Sequence, residues 1–201
     1  PLRLVGSEMC IRDSTVPDDV EYTTDYSKLF GEEHVKKFIM STGVKRRFTT
    51  HRLGVTASDL CCAAAEKILT ELNYDRSKID ALIFASSSRD YLQPVTATIL
   101  QDRLGLSDDC MCYDVPLGCS AYVYGLYLAS MHINSRCRSV LLLAGSTGEQ
   151  LPDNYEPQEI PMLFGNGGSA TLLEYDENAE PVYGLLRSIG RDFKMLVSPL
   201  S

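Results

Sequence analysis

Short apolar runs alternate with longer amphipathic segments along most of this chain. Continuous apolar runs at residues 81–85, 111–115 and 139–144 are typical of strands buried on both faces of a sheet. Amphipathic or alanine-rich segments predict helices at residues 32–40, 57–72 and 95–104, and a long apolar segment predicts another at residues 120–134. This alternation predicts right-handed β-α-β units and a largely parallel sheet with helices on both faces.

The predicted helices have recognisable ends and one unusual member. Thr56 or Ser58 can cap the helix of residues 57–72, and Pro94 suits the first position of the helix of residues 95–104. The helix of residues 120–134 is apolar on nearly all sides, which predicts that it is buried all round.

The two ends of the chain are harder to interpret. Residues 1–14 show no alternation of apolar and polar positions, so we expect a leader of foreign or misread origin that is not part of the fold. The folded domain is then residues 15–201, beginning with a loop at residues 15–24. Near the other end, residues 176–180 predict a turn and residues 182–188 one more strand.

Composition narrows the class of protein. The chain has 201 residues, 44% hydrophobic and 23% charged, which fits one globular α/β domain. A net charge of −8 argues against nucleic acid as a partner. The seven cysteines have irregular spacings, and neither a signal peptide nor an apolar run of membrane-spanning length is visible. We therefore expect free thiols, a cytoplasmic location and no membrane partner.

The stretch with most chemical content joins the strand of residues 111–115 to the apolar helix. The chain turns through Pro116, Leu117 and Gly118 and presents Cys119 just before the helix. Unpaired N–H groups and the dipole at a helix start stabilise a thiolate, and Gly118 allows a sharp bend that exposes the sulfur. This is the thiol counterpart of a nucleophile elbow. A cysteine at such a junction is also often a small buried hydrophobe, and position alone leaves both interpretations open.

Three segments carry a resemblance to one family. DVPLGCSAYVYGLYLA (residues 114–129) resembles the active-site segment of the condensing enzyme β-ketoacyl-acyl-carrier-protein synthase III, which has the thiolase fold. FGNGGSATLLEY (residues 164–175) resembles the family's F-G-D-G-A-G-A segment, with Asn166 in place of aspartate. TGVKRRFTT (residues 42–50) resembles a T-G-I-x-x-R stretch. The resemblance implies the N-terminal half of a thiolase-like fold, with a mixed, largely parallel sheet and a buried helix after the active-site cysteine.

The resemblance implies an acyltransferase of fatty acid or related biosynthesis. Cys119, as the thiolate, would attack an acyl-CoA primer, and malonyl-acyl carrier protein would then lose carbon dioxide and take the acyl group. No cofactor is implied, and the partners are acyl-CoA, acyl carrier protein and, at full length, a second copy in a homodimer. The family's histidine, asparagine and second oxyanion-hole glycine come from a second half, so we expect an incomplete fragment that is inactive alone.

The resemblance also implies substrate-binding residues. Near the mouth of the coenzyme A tunnel, the phosphates of coenzyme A would contact a basic segment formed by Lys45, Arg46 and Arg47. Ser41 stands where the family often has an arginine. The alternative for that segment is a solvated run of charge. The acyl pocket would be lined across the dimer by residues of the 86–93 loop, namely Tyr91, Leu92 and Gln93. Gly165 and Gly167 would allow close backbone packing near the active site.

Other chemical readings are disfavoured. The glycines of residues 165–170 match G-x-G-x-x-A, but a dinucleotide site needs a strand before and a helix after them. Cys110 and Cys112 have no C-x-x-C pair or nearby histidine to complete a metal site.

No histidine is placed to serve Cys119. His132 lies 13 residues further along, about 20 Å at ~1.5 Å per helical residue. His34 and His51 are interpreted as surface residues. A different Cys-dependent acyltransferase or thioester hydrolase, or a non-catalytic dimerising half-domain, stays open.

Overall fold

The structure, a computed structural model, describes residues 7–50, 54–148, 159–179 and 182–195. The strands are β1 (Ser7–Thr15), β2 (Asp19–Tyr22), β3 (Arg46–Thr49), β4 (Ala81–Ala85), β5 (Met111–Val115), β6 (Ser139–Ser146) and β7 (Gly167–Tyr175). The α-helices are α1 (Ser27–Phe30), α2 (Glu32–Thr42), α3 (Ala57–Glu71), α4 (Thr96–Arg103), α5 (Ala121–His132) and α6 (Ile160–Leu163). Short 3-10 helices span Thr23–Tyr26, Arg76–Lys78 and Gly190–Met195.

The main sheet has five strands in the order β1-β7-β6-β4-β5. β4 pairs in parallel with both β5 and β6, whereas β7 is antiparallel to β6 and to β1. β2 and β3 form a separate antiparallel pair. The mixed, largely parallel sheet predicted by the resemblance is confirmed.

Helices cover both faces of this sheet, as the alternation of elements predicts. One apolar core lies between the sheet and helices α3 and α4, and a second lies between the sheet and α5. All five residues of β4 are buried, because this strand lies between β6 and β5 and contributes to both cores. None of the helices in the described ranges is both long enough and apolar enough to span a bilayer.

Helix α3 follows its sequence prediction closely. Thr56 caps it, with its hydroxyl accepting a hydrogen bond from the Asp59 N–H while the Asp59 carboxylate accepts one from the Thr56 N–H. This reciprocal pair satisfies two backbone donors at the helix start. Of the apolar stripe expected to comprise Leu60, Ala64, Ile68 and Leu72, the first three are buried, whereas Leu72 is 37% exposed.

The contact between α3 and β7 is close enough to require a glycine. A Cβ atom on Gly168 would lie 2.5 Å from the carbonyl carbon of Leu60 and closer still to the backbone nitrogen of Cys61. Because these are backbone atoms, they cannot rotate away as a side-chain end can. Gly168 therefore fixes how near the helix sits to the sheet.

The expectation that residues 1–14 lie outside the fold is wrong for residues 7–14. They form most of β1, which pairs with the outer edge of β7 from Ser7↔Tyr175 to Thr15↔Gly168. The Asp13 carboxylate forms an ion pair with Lys67 of α3 at 2.5 Å. The register shifts between Met9 and Ile11. Such a bulge inserts an extra residue and breaks the alternation by which a strand is recognised.

Three further expectations are corrected. Helix α4 begins at Thr96 with Val95 in extended conformation as its N-cap, so Pro94 is not its first helical residue. Residues 182–189 form no regular strand. Helix α5 is buried on one face only, and Val123 on another side is 59% exposed. The second layer that would cover its other sides is not among the described residues.

We predict opposite outcomes for two glycine-to-alanine substitutions. Gly168→Ala should lower the free energy of unfolding by about 2 kcal/mol or more, because the added methyl group overlaps the backbone of α3. Gly118→Ala should change it by less than about 1 kcal/mol, because the position is open and its φ is not positive. Urea denaturation of both variants measures the difference, and equal losses would contradict the close approach of α3 and β7.

Candidate active site

Cys119 lies where the sequence predicts, between the end of β5 and the start of α5. Ser120 is the N-cap of α5, and the Ala121 N–H donates to the Gly118 carbonyl oxygen at 2.9 Å. Of the six cysteines the structure describes as free, Cys119 alone is exposed. The turn needs no special backbone, because Gly118 does not have a positive φ. The chain bends at Gly118 as expected, but this bend does not depend on glycine's conformational freedom, and the thiol is accessible.

The segment that leaves β4 is fastened to the end of β5 at two points. The Ser86 N–H donates to the Val115 carbonyl oxygen at 3.1 Å. At the other end of the segment, the N–H groups of Thr96 and Ala97 each donate at 2.8 Å to a different carboxylate oxygen of Asp114. The loop of residues 86–95 is thus anchored on the last two residues of the strand that leads to Cys119.

The exit of β6 joins the same edge. The Ser88 hydroxyl donates to the Thr147 carbonyl oxygen at 2.8 Å, and the Thr147 N–H is 3.3 Å from the same hydroxyl oxygen. Since β4, β5 and β6 are parallel, their carboxyl ends meet here, which is where open α/β sheets bind ligands. Sequence reasoning missed Asp114, Ser88 and Thr147. The available signal in the sequence is Asp114, because a carboxylate inside an otherwise apolar strand indicates a specific partner.

The predicted acyl-pocket residues lie on this loop and are exposed. Tyr91 is 62% and Leu92 71% exposed, and Gln93 is exposed beside them. Large apolar side chains held in solvent on a short, anchored loop are available to contact another molecule.

The basic segment divides into two parts. Lys45 and Arg46 are exposed, but Arg47 is buried and forms an ion pair with Glu21. Its guanidinium also donates to the Tyr26 hydroxyl at 2.5 Å and lies over the ring of Tyr26. Arg47 is expected to hold coenzyme A phosphates, but in this structure its guanidinium is buried against Glu21 and Tyr26 and is not presented to solvent. Glu21 faces Arg47 through the pairing of β2 and β3, which the sequence does not reveal.

Burial also changes the chemistry of Tyr26. Removal of its hydroxyl from water raises the pKa of Tyr26, although the neighbouring Arg47 opposes that shift. The phenol therefore stays neutral and can accept the hydrogen bond from the guanidinium.

The glycine-rich segment ties the two sheets together. The Asn166 side-chain oxygen accepts hydrogen bonds from the N–H and hydroxyl of Thr50, and the Asn166 N–H donates to Phe48 at 2.9 Å. A Cβ on Gly165 would lie 3.3 Å from the Phe48 carbonyl oxygen, which is close packing, whereas one on Gly167 would make ordinary contact with Thr15 at 3.5 Å. A strand rather than a helix follows, because β7 begins at Gly167.

The two histidines that the structure describes contact residues other than Cys119. His34 Nε2 lies 2.7 Å from a Glu159 carboxylate oxygen and its ring stacks on Phe30 at 5.8 Å. His132, at the far end of α5, lies 2.8 Å from the Tyr113 hydroxyl. His51 lies outside the described residues. Within the described part of the chain, no three His, Cys, Asp or Glu residues are grouped so as to hold a metal ion.

The division of the basic segment gives a matched pair of variants. We predict that Arg47→Ala lowers the free energy of unfolding by about 3–5 kcal/mol, because it breaks a buried ion pair. Arg46→Ala, at an exposed position of the same strand, should change it by no more than about 0.5 kcal/mol. Denaturant titration measures both, and similar small losses would show that Arg47 is not a structural residue.

Comparisons with known proteins agree with this geometry. The family model of 3-oxoacyl-[acyl-carrier-protein] synthase III matches residues 113–188. The β-ketoacyl-[acyl-carrier-protein] synthase III of Acholeplasma laidlawii is 31% identical over 163 residues, which cover 81% of this chain and 52% of the relative. A putative 3-oxoacyl-[acyl-carrier-protein] synthase 3 of Campylobacter jejuni is 36% identical over 144 residues, covering 71% and 40%.

A solved structure gives the same result. The crystal structure of a 3-oxoacyl-(acyl-carrier protein) synthase from Burkholderia xenovorans superposes with a TM-score of 0.82 and 33% identity, over 89% of this chain and 51% of that one. The chain therefore spans about half the length of the relatives it matches. Residues 113–188 therefore match the synthase III family, and the fold of the chain is that of the thiolase-fold synthases.

Proposed function

We propose that the protein to which this chain belongs condenses an acyl-CoA primer with malonyl-acyl carrier protein through an acyl group carried on Cys119. The observation that carries the proposal is the exposed thiol at the carboxyl edge of the sheet, within the segment that the family model matches. An accessible thiol at a helix start is a nucleophile by chemistry, and the exits of three parallel strands gather beside it.

The proposed reaction has two halves. The Cys119 thiolate attacks the thioester carbonyl carbon, the coenzyme A thiolate leaves, and a new thioester forms on Cys119. Malonyl-acyl carrier protein then loses carbon dioxide, and its carbanion attacks that thioester and releases the Cys119 thiolate. The backbone N–H of Cys119 would donate to the oxyanion in both steps. A histidine and an asparagine outside the described residues would assist the decarboxylation.

Two groups of exposed side chains support contacts with two parts of the substrate. We assign the acyl chain to Tyr91, Leu92 and Gln93, because the loop that carries them is anchored beside the Cys119 turn. Phosphates of coenzyme A are assigned to Lys45 and Arg46, the exposed members of the basic segment. Gly165 and Gly167 contribute backbone, and no side chain, to the packing behind the basic segment.

A homodimer and a cytoplasmic location complete the proposal. β5 is the last strand in the order of the main sheet, and β4 is the neighbour it pairs with among the described strands. An edge strand offers backbone groups for pairing with a second copy. The free thiols and the two thioester substrates fit a reducing compartment.

Transfer of a labelled acyl group tests the nucleophile. Incubation of the full-length protein with radiolabelled acetyl-CoA should leave label that survives acid precipitation and is released by hydroxylamine, as expected of a thioester. The label should map to Cys119 and disappear in Cys119→Ala. The matched control Cys137→Ala, at a partly buried cysteine in the loop before β6, should keep it. Label that is absent, or that persists in Cys119→Ala, would end the proposal for Cys119.

Product analysis separates the reaction classes. With malonyl-acyl carrier protein added, condensation yields a β-ketoacyl product, whereas a thioester hydrolase yields free acid. A full-length protein that forms neither product and takes no label would be a non-catalytic dimerising member of the family.

Alkylation of the chain itself is a simpler prediction. A short pulse of iodoacetamide at pH 8 should modify Cys119 well before Cys61, by roughly a hundredfold in rate, because only the thiolate reacts and the sulfur must be reachable. Burial raises the pKa of Cys61 to about 12, so its thiolate is scarce below that pH in the folded protein. Peptide mass spectrometry of the pulsed protein measures both rates. Equal rates would contradict either the exposure of Cys119 or the burial of Cys61.

A further inference from the structure

Two other cysteines lie side by side at the start of β5, at the opposite end of that strand from Cys119. The sulfur atoms of Cys110 and Cys112 are 4.0 Å apart, and the Cys112 sulfur is 3.4 Å from the Cys110 carbonyl oxygen. Cys110 directly precedes β5, and Cys112 is the second residue of that strand. Both side chains pack against the core beneath α3 and α4.

The two thiols have different surroundings. Cys110 is 6% exposed, whereas Cys112 is partly exposed and can be reached by a small molecule. A hydrogen bond with Cys110 lowers the pKa of Cys112, and the same hydrogen bond together with burial raises the pKa of Cys110. Cys112 therefore supplies the attacking thiolate, and Cys110 is the thiol held beside it.

We propose that Cys110 and Cys112 are a redox pair that a low-molecular-weight disulfide, such as oxidised glutathione, converts to an intramolecular disulfide. The Cys112 thiolate attacks one glutathione sulfur and releases the other glutathione as a thiolate. The Cys110 thiol, losing its proton, then attacks the Cys112 sulfur and releases the second glutathione. Two protein thiols are oxidised, and one glutathione disulfide is reduced to two thiols.

A third cysteine, Cys137, is less well placed to bridge with either member of the pair. Cys137 is partly buried, but it packs against the core beneath α5, on the other face of the sheet from Cys112. The sheet therefore separates it from the pair, whereas the backbone of a single residue separates Cys110 from Cys112.

Mass spectrometry of the chain in glutathione buffers tests the proposal. Trypsin releases Cys110, Cys112 and Cys119 in one peptide of residues 104–136, so the experiment uses Cys119→Ala, which leaves the pair alone in it. The chain is equilibrated at several ratios of oxidised to reduced glutathione, quenched in acid, alkylated and digested. The expected peptide is two hydrogen atoms lighter and carries no alkyl group once the buffer is sufficiently oxidising.

Variants and an unfolded control decide the result. Cys110→Ser and Cys112→Ser should each abolish the bridged peptide, and Cys137→Ser should preserve it. The equilibrium constant for bridging should be at least about tenfold larger in the folded chain than in guanidinium, because the fold holds the sulfurs together. Full alkylation in every buffer, a lasting glutathione adduct on Cys112, a cross-link to Cys137, or equal constants in the two states would overturn the proposal.

Discussion

The structure depends on the parallel pairing of β4 with both of its neighbours. All five residues of β4 are apolar and buried, and the backbone N–H and C=O groups of the strand pair with those of β5 and β6. Parallel pairing forces three strand exits onto one edge of the sheet. The accessible cysteine, the loop of residues 86–95 and the start of the segment after β6 meet there for that reason.

Elements with strong local patterns could be predicted from the sequence. The bounds of β4 and β5 follow from the sequence, because a strand buried on both faces is a short continuous apolar run. The start of α3 follows as well, because its capping residues are neighbours in the sequence. The cysteine at the β5–α5 junction was recognised through its neighbours in the sequence. The central architecture and the candidate nucleophile were therefore within reach of sequence reasoning.

What could not be predicted depends on partners distant in the sequence. β1 was missed because a bulge breaks its alternation and its partner β7 lies at the other end of the chain. Arg47 was assigned to a phosphate because Glu21 becomes its neighbour only after β2 and β3 pair. Helix α5 was expected to be buried all round because its composition is uniformly apolar, and composition does not say which layers are present.

The small sheet of β2 and β3 has its own electrostatic balance. Arg47 and Glu21 neutralise each other within it, and Asn166 fastens β3 to the main sheet through neutral hydrogen bonds. The positive charge left on the surface of this segment belongs to Lys45 and Arg46. Burial of Arg47 and exposure of Lys45 and Arg46 thus give neighbouring basic residues different environments within one short segment.

Asp114 gives the edge of the sheet a mechanical property. Its two carboxylate oxygens each hold one of the first amides of α4, while its backbone belongs to β5. These two hydrogen bonds brace the start of α4 against β5 just before the Cys119 turn, so the end of the 86–95 loop and the beginning of that turn share one anchoring residue.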